Sequence, residues 1–170
     1  TNNNFVSGDY NRETGLQGNG SNKNLVLATS SDTYAASESG HAALFIQSIT
    51  ALGGWALNSS NTYIVPAVSA VAMRHFIASS FDFGSALSPP SFVGLNRTVD
   101  QRESRANGTT VSGAVSGFSS SSTAYRVFSR DTDGNVFNGR MSFYSVGFAL
   151  NLESLDTRVS ALVAAIGAAI

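Results

Sequence analysis

The chain has 170 residues, enough for one domain with a sizeable core. Only 12% of them are charged, against roughly 25% in ordinary soluble domains, and the net charge is −1. That balance excludes an electrostatic footprint for nucleic acid or an anionic membrane, and the absence of cysteine excludes disulfides and thiolate metal sites.

The elements follow in chain order as strands parted by turns. Gly15–Leu27, GLQGNGSNKNLVL, reads as a Gly/Asn turn leading into a strand. His41–Thr50 is an apolar run with β-branched and aromatic members, closed by Gly53-Gly54, which suits a core strand of a sandwich. Trp55 opens a shorter strand that ends in the polar tract Asn58–Asn61. Ala67–Phe83 is mostly apolar, and its strand neighbours and the Ser79-Ser80 interruption favour strand over helix. Pro89-Pro90 marks a connection, because proline cannot donate to a ladder.

Ser91–Val99 alternates, placing Val93, Leu95, Arg97 and Val99 on one face and Phe92, Gly94 and Asn96 on the other. Asn107-Gly108 is a type I′ hairpin signal, since both residues tolerate positive φ. It should join Gln101–Ala106 to Thr109–Val115. Ser119–Ser122 reads as a solvated loop. Tyr125–Arg130 is a further strand, with Tyr125, Val127 and Ser129 opposite Arg126, Phe128 and Arg130. Asn138–Leu150 is the closing strand.

The last twenty residues form the one expected helix. Asn151 is a good N-cap, and Leu152, Leu155, Val159, Leu162, Val163, Ile166 and Ile170 recur at steps of three and four. Glu153, Asp156 and Arg158 fall on the opposite, solvent face. Beyond Ser160 the helix is apolar all round, yet too short to span a bilayer. It should therefore be buried, against the sandwich or a neighbouring subunit. Leu155, Val159, Leu162, Val163, Ile166 and Ile170 are the expected assembly residues, and the small residues among them favour self-association. The strands with this single helix predict an all-β antiparallel sandwich occupying residues 1–170 as one domain. Pattern alone leaves jelly-roll and immunoglobulin-like topologies both open.

Residues able to carry chemistry are few. His41 and His75 have no short-range cluster of His, Asp or Glu and read as structural, and no G-x-S-x-G elbow is present. Glycoside hydrolysis needs two carboxylic acids. Glu13, Glu38, Glu103 and Glu153 lack suitable partners; Glu103 with Asp100 is expected to be neutralised by Arg102 and Arg105, and Glu153 with Asp156 suits a helix start. Catalysis is therefore not expected. Asp131-x-Asp133-Gly134-Asn135 resembles the start of a calcium loop but lacks the downstream Glu of an EF-hand, so a plain turn is the alternative. The basic set Arg97, Arg102, Arg105, Arg126 and Arg130 reads as a solvated strand face, a protein contact or an acidic-glycan site. Asn58, Asn96 and Asn107 begin N-x-[ST] triplets, expected in exposed loops.

The closing stretch FNGRMSFYSVGFALNLESLD resembles the final strand and exit of laminin-G and concanavalin A-like lectin domains, and Gly15–Leu27 resembles their opening. More closely, the D-Y-N-R…G-L-x-G-N-G-S-x-K start and the N-G-R…F-Y-S-V-G…L-D-x-R-V end resemble a lectin-like module of phage virion proteins. The resemblance implies a concanavalin A-like jelly roll and a non-enzymatic virion module, in a tail fibre or on a capsid surface. It would bind host surface glycans or join other virion proteins. Calcium is held in loops of many such sandwiches, and virion fibres are commonly threefold, so a homotrimer is expected. The chain starts at Thr1 without a signal peptide, and such modules usually close a longer protein, so an upstream attachment region is expected. A secreted bacterial adhesion module, extracellular rather than on a virion, is the alternative; a glycan hydrolase on the same fold is a weaker one.

Overall fold

Alternation along Ser91–Arg97 sets the layering: Val93 and Leu95 enter the main core, while Phe92 faces the other way into a second, smaller cluster. The computed structural model describes residues 1–51, 54–66, 72–75, 81–83, 86–115, 117, 119–130 and 136–169. Two seven-stranded sheets pack face to face. Sheet I runs, in spatial order, β1 (Asn2–Asn3), β4 (Asn24–Ser30), β13 (Ala124–Val127), β6 (Leu57–Ser59), β7 (Thr62–Val65), β8 (Ala72–His75) and β9 (Phe81–Asp82). Sheet II runs β12 (Thr109–Ala114), β11 (Gln101–Ala106), β10 (Ser91–Arg97), β5 (Gly40–Ala51), β14 (Asn138–Gly147), β3 (Gly15–Gln17) and β2 (Tyr10–Asn11). All pairings between these strands are antiparallel. Early and late strands interleave, as in the expected jelly-roll sandwich with a single C-terminal helix.

The core lies between the sheets. Leu44, Ile46, Val93 and Leu95 of sheet II meet Leu57, Ile64, Tyr125 and Val127 of sheet I, with Phe128 and Phe137 closing one side. Each such aliphatic side chain contributes about 1.5–3 kcal/mol on burial. The Tyr125 hydroxyl and Thr62 bring a buried polar pair into this core, and burial pushes the Tyr125 phenol far up.

The Asn107-Gly108 turn forms as expected, with φ of 51° and 74°, between β11 and β12. The Asn107 side chain also ties the turn to the loop before β10, its amide donating to the Ala86 carbonyl at 2.8 Å. Phe128 departs from the alternation expected through Arg130. Its φ of 73° breaks the strand after Val127 and turns its ring into the core beside Phe137 and Phe5. In the 119–122 serine tract, Ser119, Ser120 and Ser121 are half-buried rather than freely solvated, and Ser122 is exposed. Ser31 donates to the Ser121 carbonyl, Ser59 to that of Thr123, and Asn61 to Ser119 and Ser120.

The C-terminal helix α1 (Leu152–Ala168) is capped as expected: the Asn151 side-chain oxygen accepts from the Ser154 amide at 2.7 Å. It docks on the outer face of sheet II. Register places Phe92, Phe45 and Phe143 in one outward row across β10, β5 and β14, and Gly94, Ala43 and Ser145 in the next. Leu152 and Val159 sink among Phe92, Phe45 and Ala43, with Leu155 and Val163 at the border. Gly94 permits this approach: a β-carbon there would lie 3.1 Å from Leu152 Cδ2 and 2.9 Å from the Phe92 ring.

Within one chain the sandwich covers only the first half of the helix: Leu162 is 56% and Ile166 38% exposed, which leaves the second half to the expected contact with a neighbouring subunit. The solvent-facing position expected for Asp156 is corrected: it faces β11, where its carboxylate accepts from Arg105 Nε at 2.7 Å and from the Ser160 hydroxyl at 3.0 Å. The pair is nearly closed to solvent and latches helix to sheet.

Candidate functional site

The two outer faces differ in what they present. On sheet II, the row beyond Gly94 consists of Asn96, His41 and Gly147. His41 is buried, and its Nδ1–H donates to the Phe148 carbonyl at 2.7 Å, which leaves Nε2 to accept from the Ser145 hydroxyl at 2.8 Å. Burial holds its pKa below the usual imidazole range, against an opposing pull from the Phe148 bond. The Asn96 side-chain oxygen accepts from the Leu150 amide, and Ser39 from that of Ala149. These three side chains fasten the link between β14 and α1, which accords with the structural role expected for His41. His75 lies in β8.

Sheet I carries a polar outer row instead, whose middle members are buried: Asn58 is 2% and Tyr63 9% exposed. Arg126 of β13 pairs with Asn58 of β6, Asn58 with Tyr63 of β7, and Tyr63 with Arg74 of β8, so the four positions share one face across four strands. That face is the outer one, since Val127, Leu57 and Ile64 beside them all enter the core. Trp55 stands against Tyr63, ring centroids 4.5 Å apart and nearly edge-on. Arg130 lies over Trp55, its guanidinium carbon 4.7 Å from the ring centroid. At the other end Arg126 reaches the Asn24 side-chain oxygen at 3.5 Å, and that oxygen also accepts from the Asn3 amide at 2.9 Å. Guanidinium, indole, phenol and amide groups thus form a continuous strip.

The expected basic set is divided by this arrangement. Arg97 points inward, fully buried, donating to the Gly117 carbonyl at 2.7 Å, and its desolvation lowers its pKa against the pull of Glu38. Arg105 serves the helix latch rather than Asp100 and Glu103. Glu103 is held above the usual carboxylate range by burial, an effect Arg105 opposes and Glu153 adds to. Arg126 and Arg130 alone of the five belong to the strip. The N-x-[ST] asparagines are also corrected: Asn58 and Asn96 are buried strand residues with 2% and 9% exposure, and only Asn107 sits in a turn.

Of the expected assembly residues, Val159 is buried in the chain's own cluster, Leu155 and Val163 border it, and Leu162 and Ile166 face solvent. Ile170 and the calcium-loop positions Asp131, Asp133 and Asn135 lie outside the described residues. Among the described residues no three His, Asp or Glu side chains come together as metal ligands, and no helix is long and apolar enough to cross a membrane.

Sequence reading missed Trp55, Asn58 and Tyr63 as a site. The short-range cue was an amide and an aromatic flanking the turn at Ser60-Asn61; their union with Arg126 depends on pairing between distant segments.

A further feature is a cavity of about 210 Å³ between the sheets, beside the irregular stretch of β14. Leu16, Leu25, Phe128 and Met141 line it with apolar surface, and the exposed residues Tyr10 and Tyr144 line it as well.

The chain matches no protein-family profile and no curated protein. Among solved structures it is similar to domain 4 of AbnA, a GH43 extracellular arabinanase from Geobacillus stearothermophilus, determined in complex with arabinotriose. The match has a TM-score of 0.52 and 12% identity, and covers 83% of this chain and 70% of that one. At that identity the likeness shows a shared fold: this chain is an antiparallel β-sandwich with a C-terminal helix.

Proposed function

We propose that the chain is a non-enzymatic, glycan-binding lectin-like module, carried on a phage virion as a tail-fibre or capsid-surface domain. The observation that carries the glycan reading is the exposed Arg130 guanidinium over the half-buried Trp55 ring, with half-buried Arg126 further along the outer face of sheet I and buried Tyr63 and Asn58 between them. Aromatic rings offer apolar faces to the C–H side of a sugar, while amides and guanidiniums bond its oxygens. The arabinotriose held by the structurally similar domain fits this class of ligand. Recognition without hydrolysis suits the strip, whose described side chains include no carboxylic pair of the kind glycosidases use. The virion setting rests on the resemblance of the two chain ends. Self-association, as a trimer in that setting, is proposed through the exposed half of α1 around Leu162 and Ile166.

The test is a screen of bacterial surface polysaccharides with the wild-type chain, Trp55→Ala and Arg130→Ala. Binding to at least one glycan is expected, weakened tenfold or more by each substitution at unchanged melting temperature. Binding that ignores both substitutions, or none at all, overturns the assignment of this face.

A further inference from the structure

We infer that the cavity between the sheets binds a small planar aromatic molecule carrying one polar substituent, between phenol and indole in size. This site lies apart from the outer face of sheet I and does not depend on the glycan reading.

Size and lining set the class of ligand. The space is about 210 Å³. Apolar cavities of about 150 Å³ already hold benzene, so one or two fused rings fit here. Phe128 and Met141 are buried, Leu16 and Leu25 are half-buried, and all four line it. A phenylalanine and a methionine in one lining favour an aromatic guest over an aliphatic one, through edge-to-face ring packing and sulfur–aromatic contact. A sugar would set several hydroxyls against this surface without partners, which is costly. The Ser142 hydroxyl is already engaged by Gln47 Nε2 at 3.2 Å. Of the lining residues only Tyr10 and Tyr144 are exposed, so the single polar substituent belongs on their side, beside two phenols.

Three departures from regular backbone meet at this cavity. Phe128 holds φ at 73°, rare for a bulky residue. It is fixed there by donating to the Ala56 carbonyl at 2.9 Å and accepting from the Phe137 amide at 2.7 Å. The pairing of β14 with β5 shifts register on either side of Met141. Gly15, with φ at 79°, passes so close to β14 that a β-carbon would lie 2.2 Å from the Met141 carbonyl oxygen. Bulges and strained residues concentrate beside binding sites, and here all three shape the same walls. Phe128 is further braced by Phe5, ring centroids 5.1 Å apart, so that wall is formed before a ligand arrives.

The experiment follows the methyl groups of the two methionines by carbon-edited NMR. Met141 lines the cavity, whereas Met73 lies in β8, four strands from β4 in sheet I, and serves as the internal reference. Indole, cyclohexylmethanol and methyl arabinofuranoside are titrated into the wild-type chain, Leu25→Phe and Tyr144→Ala. Indole is expected to shift the Met141 signal saturably and leave Met73 unmoved, with a dissociation constant on the order of 0.1–1 mM for so few atoms. Cyclohexylmethanol should bind about threefold weaker or more, and the sugar should move neither signal. Leu25→Phe fills the space and should abolish the indole response. Tyr144→Ala, at an exposed position, should weaken it about threefold, and provides the comparison if Leu25→Phe lowers the melting temperature. No saturable shift, or equal shifts of both methyl groups, overturns the proposal. Equal affinity for cyclohexylmethanol overturns the aromatic preference. A sugar response that Leu25→Phe abolishes overturns it too, and gives the cavity to the glycan. An indole response unchanged in both variants places the ligand elsewhere and overturns the site.

Discussion

Leu152→Ala should be among the more damaging single changes in the C-terminal helix. Leu152 is fully buried, and its Cδ2 sits close over Gly94 in the trough between the Phe92 and His41 rows. Truncation removes three carbons from a site floored by strands paired on both sides, so the void cannot collapse. A cost of about 3 kcal/mol is expected, within the ~2–5 kcal/mol seen for buried Leu→Ala. At about 2–4 °C per kcal/mol for a domain of this length, the melting temperature should fall by roughly 6–12 °C. The control is Leu162→Ala on the same helix, 56% exposed, which should change stability by no more than about 0.5 kcal/mol in the monomer. Chemical and thermal denaturation of both variants at low protein concentration separates them. If Leu152→Ala proves as mild as Leu162→Ala, the helix is not anchored on sheet II and the packing argument fails.

Two other predictions concern ions. Burial disfavours the charged form of His41, so the unfolded chain takes up that proton first as pH falls. Stability from the neutral ring is complete above about pH 6.5 and is lost as pH drops below it. Glu103, raised by burial, titrates in the opposite sense nearer its own range. Melting temperature between pH 7 and 5 should therefore fall more steeply for the wild-type chain than for His41→Asn, which retains a donor for the Phe148 carbonyl; equal slopes would refute the assignment. For Asp131–Asn135 a plain turn is expected, with no thermal stabilisation by millimolar calcium. A rise in melting temperature that Asp133→Ala abolishes would assign the ion instead.

The sequence made some of this legible and hid the rest for identifiable reasons. Strict alternation in Ser91–Arg97 gave both faces of β10, and Asn107-Gly108 gave a hairpin, because each signal is contained in a few neighbouring residues. The N-cap at Asn151 is local in the same way. Phe128 was misplaced because one positive φ reverses the alternation, and nothing about a phenylalanine announces it. Asp156 was assigned to solvent because the apolar stripe fixes only which side of α1 is inward; its flank meets Arg105 through docking against β11. Asn58 and Asn96 fitted a loop motif yet are buried strand residues, since the motif carries no information on pairing. The strip on sheet I was hidden for the same cause: no single segment contains two of its strands beyond the β6–β7 hairpin.

The helix also explains why the proposed ligand face is on sheet I and not on sheet II. Without α1, the row Phe92–Phe45–Phe143 would stand in water as an apolar patch crossing three adjacent strands. Leu152 and Val159 cover it, while Gly94 and Ala43 keep the neighbouring row low enough for the helix to lie down. The Arg105–Asp156 pair and the His41, Asn96 and Ser39 contacts then fix where the helix begins. Sheet II is thereby committed to packing, and the uncovered distal turns of α1 project their apolar side chains from that same side. On sheet I the outward Asn58 and Tyr63 are buried, and what reaches water is the indole of Trp55 with the guanidiniums of Arg126 and Arg130, where a sugar can replace water. In the proposed reading, recognition and self-association use opposite sides of the sandwich, with the core between them. Leu162→Ala should therefore shift oligomeric state without altering affinity for a monovalent oligosaccharide, while Trp55→Ala should do the reverse. Sedimentation and calorimetry on the two variants measure each effect, and a Leu162→Ala chain that loses oligosaccharide affinity would show that the two surfaces are not separate.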